Sequence, residues 1–127
     1  LSSMTPTIVL DPAGRPLLAI GASGGPFIIS STLQVLSNIL DFSMSPEEAV
    51  SAPRMHHQWV PEVLYLDEGY PKAVHVALSE IGHQVEEMAF FSSVQVVKTE
   101  KGGFQGASDP HKGGAPAVSG GVTPSTE

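Results

Sequence analysis

Apolar residues in this chain fall in short runs near its start and at helical spacing after them. Thr7-Ile8-Val9-Leu10 and Leu17-Leu18-Ala19-Ile20 are β-rich runs joined by Asp11-Pro12-Ala13-Gly14, where proline suits the second position of a turn and glycine the fourth. They predict a hairpin. Gly21-Ala22-Ser23-Gly24-Gly25 then reads as a loop leading into Pro26, a good first helical residue because its missing N–H would have no partner there. From Phe27 to Leu40 the apolar residues lie on two adjoining stripes, Ile28/Val35/Ile39 and Ile29/Leu33/Leu36/Leu40. So wide an apolar surface predicts a helix covered on more than one side.

Ser45-Pro46-Glu47-Glu48 joins an N-cap serine, a first-position proline and a capping-box glutamate, and Pro53 ends the short helix. Val63 to Leu66 reads as a strand. Pro71 to Ile81 reads as a helix with Val74, Leu78 and Ile81 on one face and Gly82 as its stop. Val85 to Glu87, Val94 to Lys98 and Phe104 to Ala107 complete the strands, the last two linked through Gly102-Gly103. The fold class is α+β, without internal repeats. After Pro110 the chain turns to Gly, Pro, Ser and Thr with almost no large apolar residue. Residues 1–110 are therefore expected to form one folded unit and 111–127 a flexible tail.

Composition narrows the partners. With 127 residues, 41% hydrophobic and 15% charged, the chain can bury one core and is not disordered throughout. A net charge of −7 with six scattered Lys and Arg residues leaves no basic stripe for nucleic acid. The absence of cysteine excludes disulfides and thiol chemistry, and the apolar runs are too short to cross a bilayer. Leu1 opens directly on a polar Ser-Ser-Met segment without a start methionine or signal sequence, which reads as a processed or truncated chain.

The loop at 21–25 holds the most chemistry. It follows a strand and opens a helix, where backbone N–H groups and the helix dipole favour an anion, and its glycines let a ligand approach the main chain closely. The same residues are compatible with a plain tight turn, and they also match the G-x-S-x-G nucleophile elbow, which would make Ser23 a hydrolase nucleophile. That elbow belongs to a parallel sheet, whereas the strand before Ser23 reads as the second arm of a hairpin. Ser2-Ser3-Met4-Thr5 places hydroxyls ahead of a strand, where they could donate to a carboxylate. His56 and His57 are adjacent, so their side chains diverge and lack the spacing of a helical metal pair; a structural role near Trp59 fits them better. Asp109 before Pro110 reads as a turn cap or an ion-pair partner.

Taken together, Ser2-Ser3-Met4-Thr5-Pro6-Thr7, Gly24-Gly25, Ala52-Pro53-Arg54-Met55-His56-His57-Gln58-Trp59 and Gly106-Ala107-Ser108-Asp109-Pro110 resemble the γ-glutamyltranspeptidase family in order and spacing over about residues 1–110. The resemblance implies part of an N-terminal-nucleophile hydrolase, a four-layer αββα sandwich whose precursor cleaves itself into large and small subunits. It implies an N-terminal threonine that attacks the γ-glutamyl carbonyl of glutathione, using its own amine as base, and passes the acyl group to water, an amino acid or a peptide.

By that resemblance this chain is the C-terminal part of the small subunit. Ser2 and Ser3 would hold the donor α-carboxylate, and the N–H groups of Gly24 and Gly25 would form the oxyanion hole. The expected partners are γ-glutamyl compounds, the large subunit and the upstream part of the small subunit, in a periplasmic or extracellular setting. No cofactor or metal is implied. The nucleophilic threonine has no counterpart here and Leu1 cannot replace it, so this chain alone is expected to be inactive; the alternative is a homologue or fragment that keeps the scaffold as a non-catalytic binding or structural domain. Ser23 stands where the family commonly has proline, and His111 where it has arginine, which leaves any local ion pair in question.

Overall fold

A computed structural model describes residues 2–89 and 92–117. Leu1 and most of the expected tail, beyond residue 117, lie outside the described residues. The first sheet is built from β1 (Thr7–Leu10), β2 (Pro16–Ser23), β6 (Ser93–Glu100) and β7 (Gly103–Ser108), in the order β1-β2-β6-β7 and antiparallel throughout. The second is smaller: β3 (Met55–His56), β4 (Leu64–Asp67) and β5 (Val85–Met88), with β3 antiparallel and β5 parallel to β4. Helix α3 (Lys72–Glu80) supplies the crossover that a parallel pair requires.

The hairpin forms as its turn chemistry dictates. Gly14 takes a positive φ of 79° and donates to Asp11 O at 2.9 Å, while both oxygens of the Asp11 carboxylate are engaged by Arg15. These bonds hold Asp11 below the usual carboxylate range, first through the Arg15 backbone and then through its side chain. Strand β2 outruns the sequence expectation by three residues at its C-terminal end: Gly21, Ala22 and Ser23 pair with Gln95, Val94 and Ser93 of β6. Cross-strand partners on β6 overrode the loop propensity of this segment.

Helix α1 (Phe27–Leu40) lies across one face of the first sheet, beside α2 (Pro46–Ser51). Pro26 is the residue before α1 rather than its first turn. Leu18, Ile20, Val94, Val96 and Ala107 from the sheet meet Val35 and Ile39 of α1 and Ala49 and Val50 of α2 in one core, each large side chain contributing about 1.5–3 kcal/mol on burial. The capping box is present: Ser45 Oγ accepts from Glu48 N, and the Glu48 carboxylate accepts from Ser45 N at 2.9 Å.

Among the described residues, only one stripe of α1 is covered. Ile28, Val35 and Ile39 are buried and Leu36 packs at the core edge, whereas Ile29, Leu33 and Leu40 stay exposed. The far face of the first sheet is likewise open. By strand alternation it presents Ile8, Val97 and Phe104, all exposed, beside a trough of about 1020 Å³ that residues 115–117 also line. In α3 the expected apolar face is only half-realised: Val74 and Leu78 are half-buried, but Ile81, the residue after the last helical turn, is 75% exposed.

Candidate active site

The two segments singled out by sequence converge through the hairpin. Because β1 and β2 are antiparallel with Thr7 opposite Ile20, the chain before Thr7 and the chain after Ile20 run toward the same end of the hairpin, β2 staying paired with β6 as far as Ser23. Ser3 precedes Thr7 by as many residues as Gly24 follows Ile20. Ser2 is exposed and its Oγ accepts from Met4 N at 3.2 Å; Ser3 is half-buried, and its carbonyl accepts from Thr5 Oγ1 at 2.9 Å. These local bonds lie within the irregular segment that precedes the β1 ladder.

Gly24 and Gly25 adopt φ of +142° and +62°. At Gly25 an added Cβ would meet nothing within 4 Å, so backbone conformation rather than crowding demands glycine there. Neither N–H donates to another described residue, and α1 begins without a side-chain cap or an acidic residue in its first turn. The positive end of a 14-residue helix therefore lies at an exposed loop with no acidic residue in its first turn and no side-chain cap among the described residues. Such an end can stabilise a carboxylate or a developing alkoxide.

Ser23 closes β2 opposite Ser93 of an antiparallel neighbour, unlike a nucleophile elbow, which rises from a parallel sheet. Its hydroxyl accepts from Lys112 Nζ at 2.9 Å. No histidine or carboxylate hydrogen-bonds to it among the described residues.

The histidine pair diverges, with His56 buried and His57 exposed. His56 turns away from Trp59: its Nδ1 lies 2.7 Å from Ser30 Oγ, its Nε2 3.0 Å from Gln58 Oε1, and its ring 4.4 Å from that of Phe27. His57 is the one that meets Trp59, accepting its backbone N–H at 3.2 Å, while Trp59 itself is 79% exposed. Gln34 of α1 pins the neighbouring strand, donating to Met55 O at 2.7 Å and accepting from Met55 N at 2.9 Å. The first turns of α1, which aim the Gly24-Gly25 loop, are thus bolted to β3. Among the described residues no group of three or more His, Asp or Glu side chains is arranged to hold a metal.

At the other end of β7, Asp109 serves as both cap and ion-pair partner. Its carboxylate lies 2.7 Å from Arg54 Nη1 and accepts from Val94 N, His111 N and, at 2.7 Å, the His111 ring. The charge partner is Arg54, and His111 adds a hydrogen bond instead of replacing it. Burial pushes the Asp109 carboxyl up, but the hydrogen bonds from Arg54 and His111 and the Arg54 charge together hold it below the usual range. Sequence reasoning named Asp109 and quoted Arg54 within the Ala52–Trp59 motif without giving it a role, and it missed Ser30, Gln34 and Lys112, which no local pattern marked.

The γ-glutamyltranspeptidase family model matches residues 1–119. The chain is similar to the glutathione hydrolase proenzyme of Escherichia coli, at 38% identity over 111 residues covering 87% of this chain and 19% of that protein. It is also similar to the glutathione hydrolase proenzyme of Pseudomonas aeruginosa, at 38% over 122 residues, 93% of this chain and 22% of that protein. The chain thus spans about a fifth of the length of these curated relatives. Among solved structures, Pseudomonas nitroreducens γ-glutamyltranspeptidase complexed with L-DON superposes with a TM-score of 0.86 at 35% identity, over 94% of this chain and 64% of that one. A mutant of the Helicobacter pylori enzyme gives 0.82 at 40%, over 88% and 62%. The transpeptidase CapD of Bacillus anthracis, at 23% identity and 0.78, shares the fold. The α+β architecture is accordingly part of an N-terminal-nucleophile hydrolase sandwich.

Proposed function

The chain belongs to the γ-glutamyltranspeptidase family, and we propose that it supplies the donor-carboxylate and oxyanion segments of an enzyme that cleaves γ-glutamyl amides such as glutathione. The observation that carries this reading is the pair of undonated N–H groups at Gly24 and Gly25, at the uncapped start of α1 and at the same end of the hairpin as Ser2 and Ser3.

In this reading a γ-glutamyl donor lies with its α-carboxylate on the hydroxyls of Ser2 and Ser3, each able to donate one hydrogen bond. A threonine supplied by the upstream part of the small subunit attacks the γ-carbonyl, its free amine taking the hydroxyl proton. The carbonyl oxygen gains negative charge as it becomes tetrahedral, and the Gly24 and Gly25 amides meet that charge as it develops. Collapse expels the leaving amine, which takes the proton back from the threonine amine, and leaves a γ-glutamyl ester that water hydrolyses or an amino acid or peptide aminolyses. The 127 residues contribute binding and oxyanion stabilisation without the nucleophile, so by themselves they are inactive. The exposed sheet face and the exposed stripe of α1 are where the large subunit and the upstream small-subunit segment would pack.

The test is turnover of γ-glutamyl-p-nitroanilide by the full-length protein, with and without a dipeptide acceptor. Release of p-nitroaniline, accelerated by the acceptor in the manner of a shared acyl-enzyme, supports the reading. A folded, processed full-length protein that releases none would sink it.

A further inference from the structure

Lys112 is the cation that the fold carries to the active-site loop. Arg15 pairs with Asp11, Arg54 with Asp109 and Lys98 with Glu100. Lys112 instead donates from Nζ to Ser23 Oγ at 2.9 Å, joining residues 89 positions apart, and it pairs with no carboxylate among the described residues. The backbone around it is tied on both sides. Pro110–Lys112 forms a 3₁₀ turn capped by Asp109, which is itself buried against Arg54. Beyond it, Gly113 and Gly114 take positive φ and fold the chain onto β7, so closely that a Cβ on Gly114 would lie 2.9 Å from Ser108 Oγ.

The partner of Lys112 is as informative as its setting. Ser23 is the last residue of β2 and immediately precedes the exposed Gly24 and Gly25, whose amides donate to no other described residue. A two-glycine turn has no side chains to restrict its own conformation, so its donors keep their aim only if something outside the turn holds it. On one side that restraint is the first turn of α1, fixed through Ser30 and His56. On the other it is Ser23, whose backbone is paired with Ser93 of β6 and whose hydroxyl is held by Lys112.

We propose that Lys112 is a positioning residue for the oxyanion loop: through Ser23 it holds the Gly24 and Gly25 amides in place, and its charge reinforces the positive end of α1. The inference rests on the γ-glutamyl-transfer reading above. It assigns a role to the 3₁₀ turn after β7, whose backbone is anchored by the buried Arg54–Asp109 pair.

The experiment uses the full-length enzyme carrying Lys112→Ala, Lys112→Arg, Ser23→Ala, or both alanine changes, assayed on γ-glutamyl-p-nitroanilide. That leaving group has no carboxylate, so a loss on it does not arise from a missing contact to a leaving-group anion. Lys112→Ala and Ser23→Ala should each lower kcat by about fivefold with KM changed less than about twofold, as expected when only the transition state loses support. The double variant should be no worse than either single one, because both remove the same link, and Lys112→Arg should restore most of kcat. Unchanged kcat in Lys112→Ala, additive losses in the double variant, or a raised KM at constant kcat overturns the proposal. An active wild type with an indifferent Lys112→Ala variant removes only this inference; an inactive wild type removes the parent reading with it.

Discussion

The Asp109 carboxylate lies 2.7 Å from Nη1 of Arg54, with both side chains sealed from solvent. Arg54 also donates to Val50 O and Ser92 O, and Asp109 accepts from Val94 N. This one pair therefore ties the end of α2, the start of β6 and the 3₁₀ turn together, directly behind the core. Taking two charges out of water is costly. The surrounding hydrogen bonds offset that cost; removal of Arg54 would leave Asp109 only the His111 ring and backbone donors, and removal of Asp109 would leave the buried Arg54 without its carboxylate.

Replacing Arg54 with Met should destabilise the assembled enzyme by about 3–5 kcal/mol, the usual penalty for stranding one member of a buried pair. Thermal melts of the variant against wild type check this. An unchanged melting temperature would contradict the structural role.

The pair also sets a pH dependence. Asp109 is held below the ordinary carboxylate value of 3.8, so its contribution to stability is present above that value and is lost as pH falls through the lower folded one. Wild type should lose melting temperature progressively below about pH 4 through this group. Asp109→Asn should start lower and show a flatter acid limb. Parallel limbs for the two proteins would show that Asp109 does not carry this dependence.

Much of the fold was legible because local chemistry agreed with tertiary packing. Strand β1 has the bounds that its apolar run predicts, α1 has the bounds set by its stripes, and α2 begins on its capping box. Misreadings arose where long-range partners decided the outcome. Gly21 to Ser23 became strand because β6 lies alongside. Strand β3 is two residues long and is held by Gln34, twenty-one positions earlier, which no local pattern could announce. Ile81 was placed on a helical face but lies one residue beyond the helix. In the candidate site the glycine loop was legible from its strand-to-helix position. The Lys112 contact to Ser23 was not, since it depends on a pairing visible only in three dimensions.

If Ser2 and Ser3 hold the α-carboxylate as proposed, changing both to Ala in the full-length enzyme should mainly raise KM, by about tenfold or more, since such hydrogen bonds would be made in ground and transition states alike. Steady-state kinetics on γ-glutamyl-p-nitroanilide give the split. A change in kcat alone would assign these serines a different role.

Gly25→Pro removes one amide donor at the loop and should lower kcat by roughly a hundredfold or more. Circular dichroism must show that the variant is folded. Near-normal kcat in a folded variant would remove Gly25 from the oxyanion hole.

The isolated 127 residues should bind hydrophobic dyes or self-associate, since Ile29, Leu33 and Leu40 on α1 and Ile8, Val97 and Phe104 on the sheet are all exposed. Light scattering and dye fluorescence test this. A monomer with a cooperative melt and no dye affinity would mean these faces need no covering layer.

The most direct measurement is the location of the covalent intermediate. The full-length enzyme would be quenched during turnover of a γ-glutamyl donor, digested, and its γ-glutamyl adduct mapped by mass spectrometry. The expected adduct lies on an N-terminal threonine outside these 127 residues and still forms in a Ser23→Ala variant. An adduct on Ser23, lost in that variant, would contradict the division of labour in which this chain binds the donor and stabilises the oxyanion while the nucleophile comes from elsewhere.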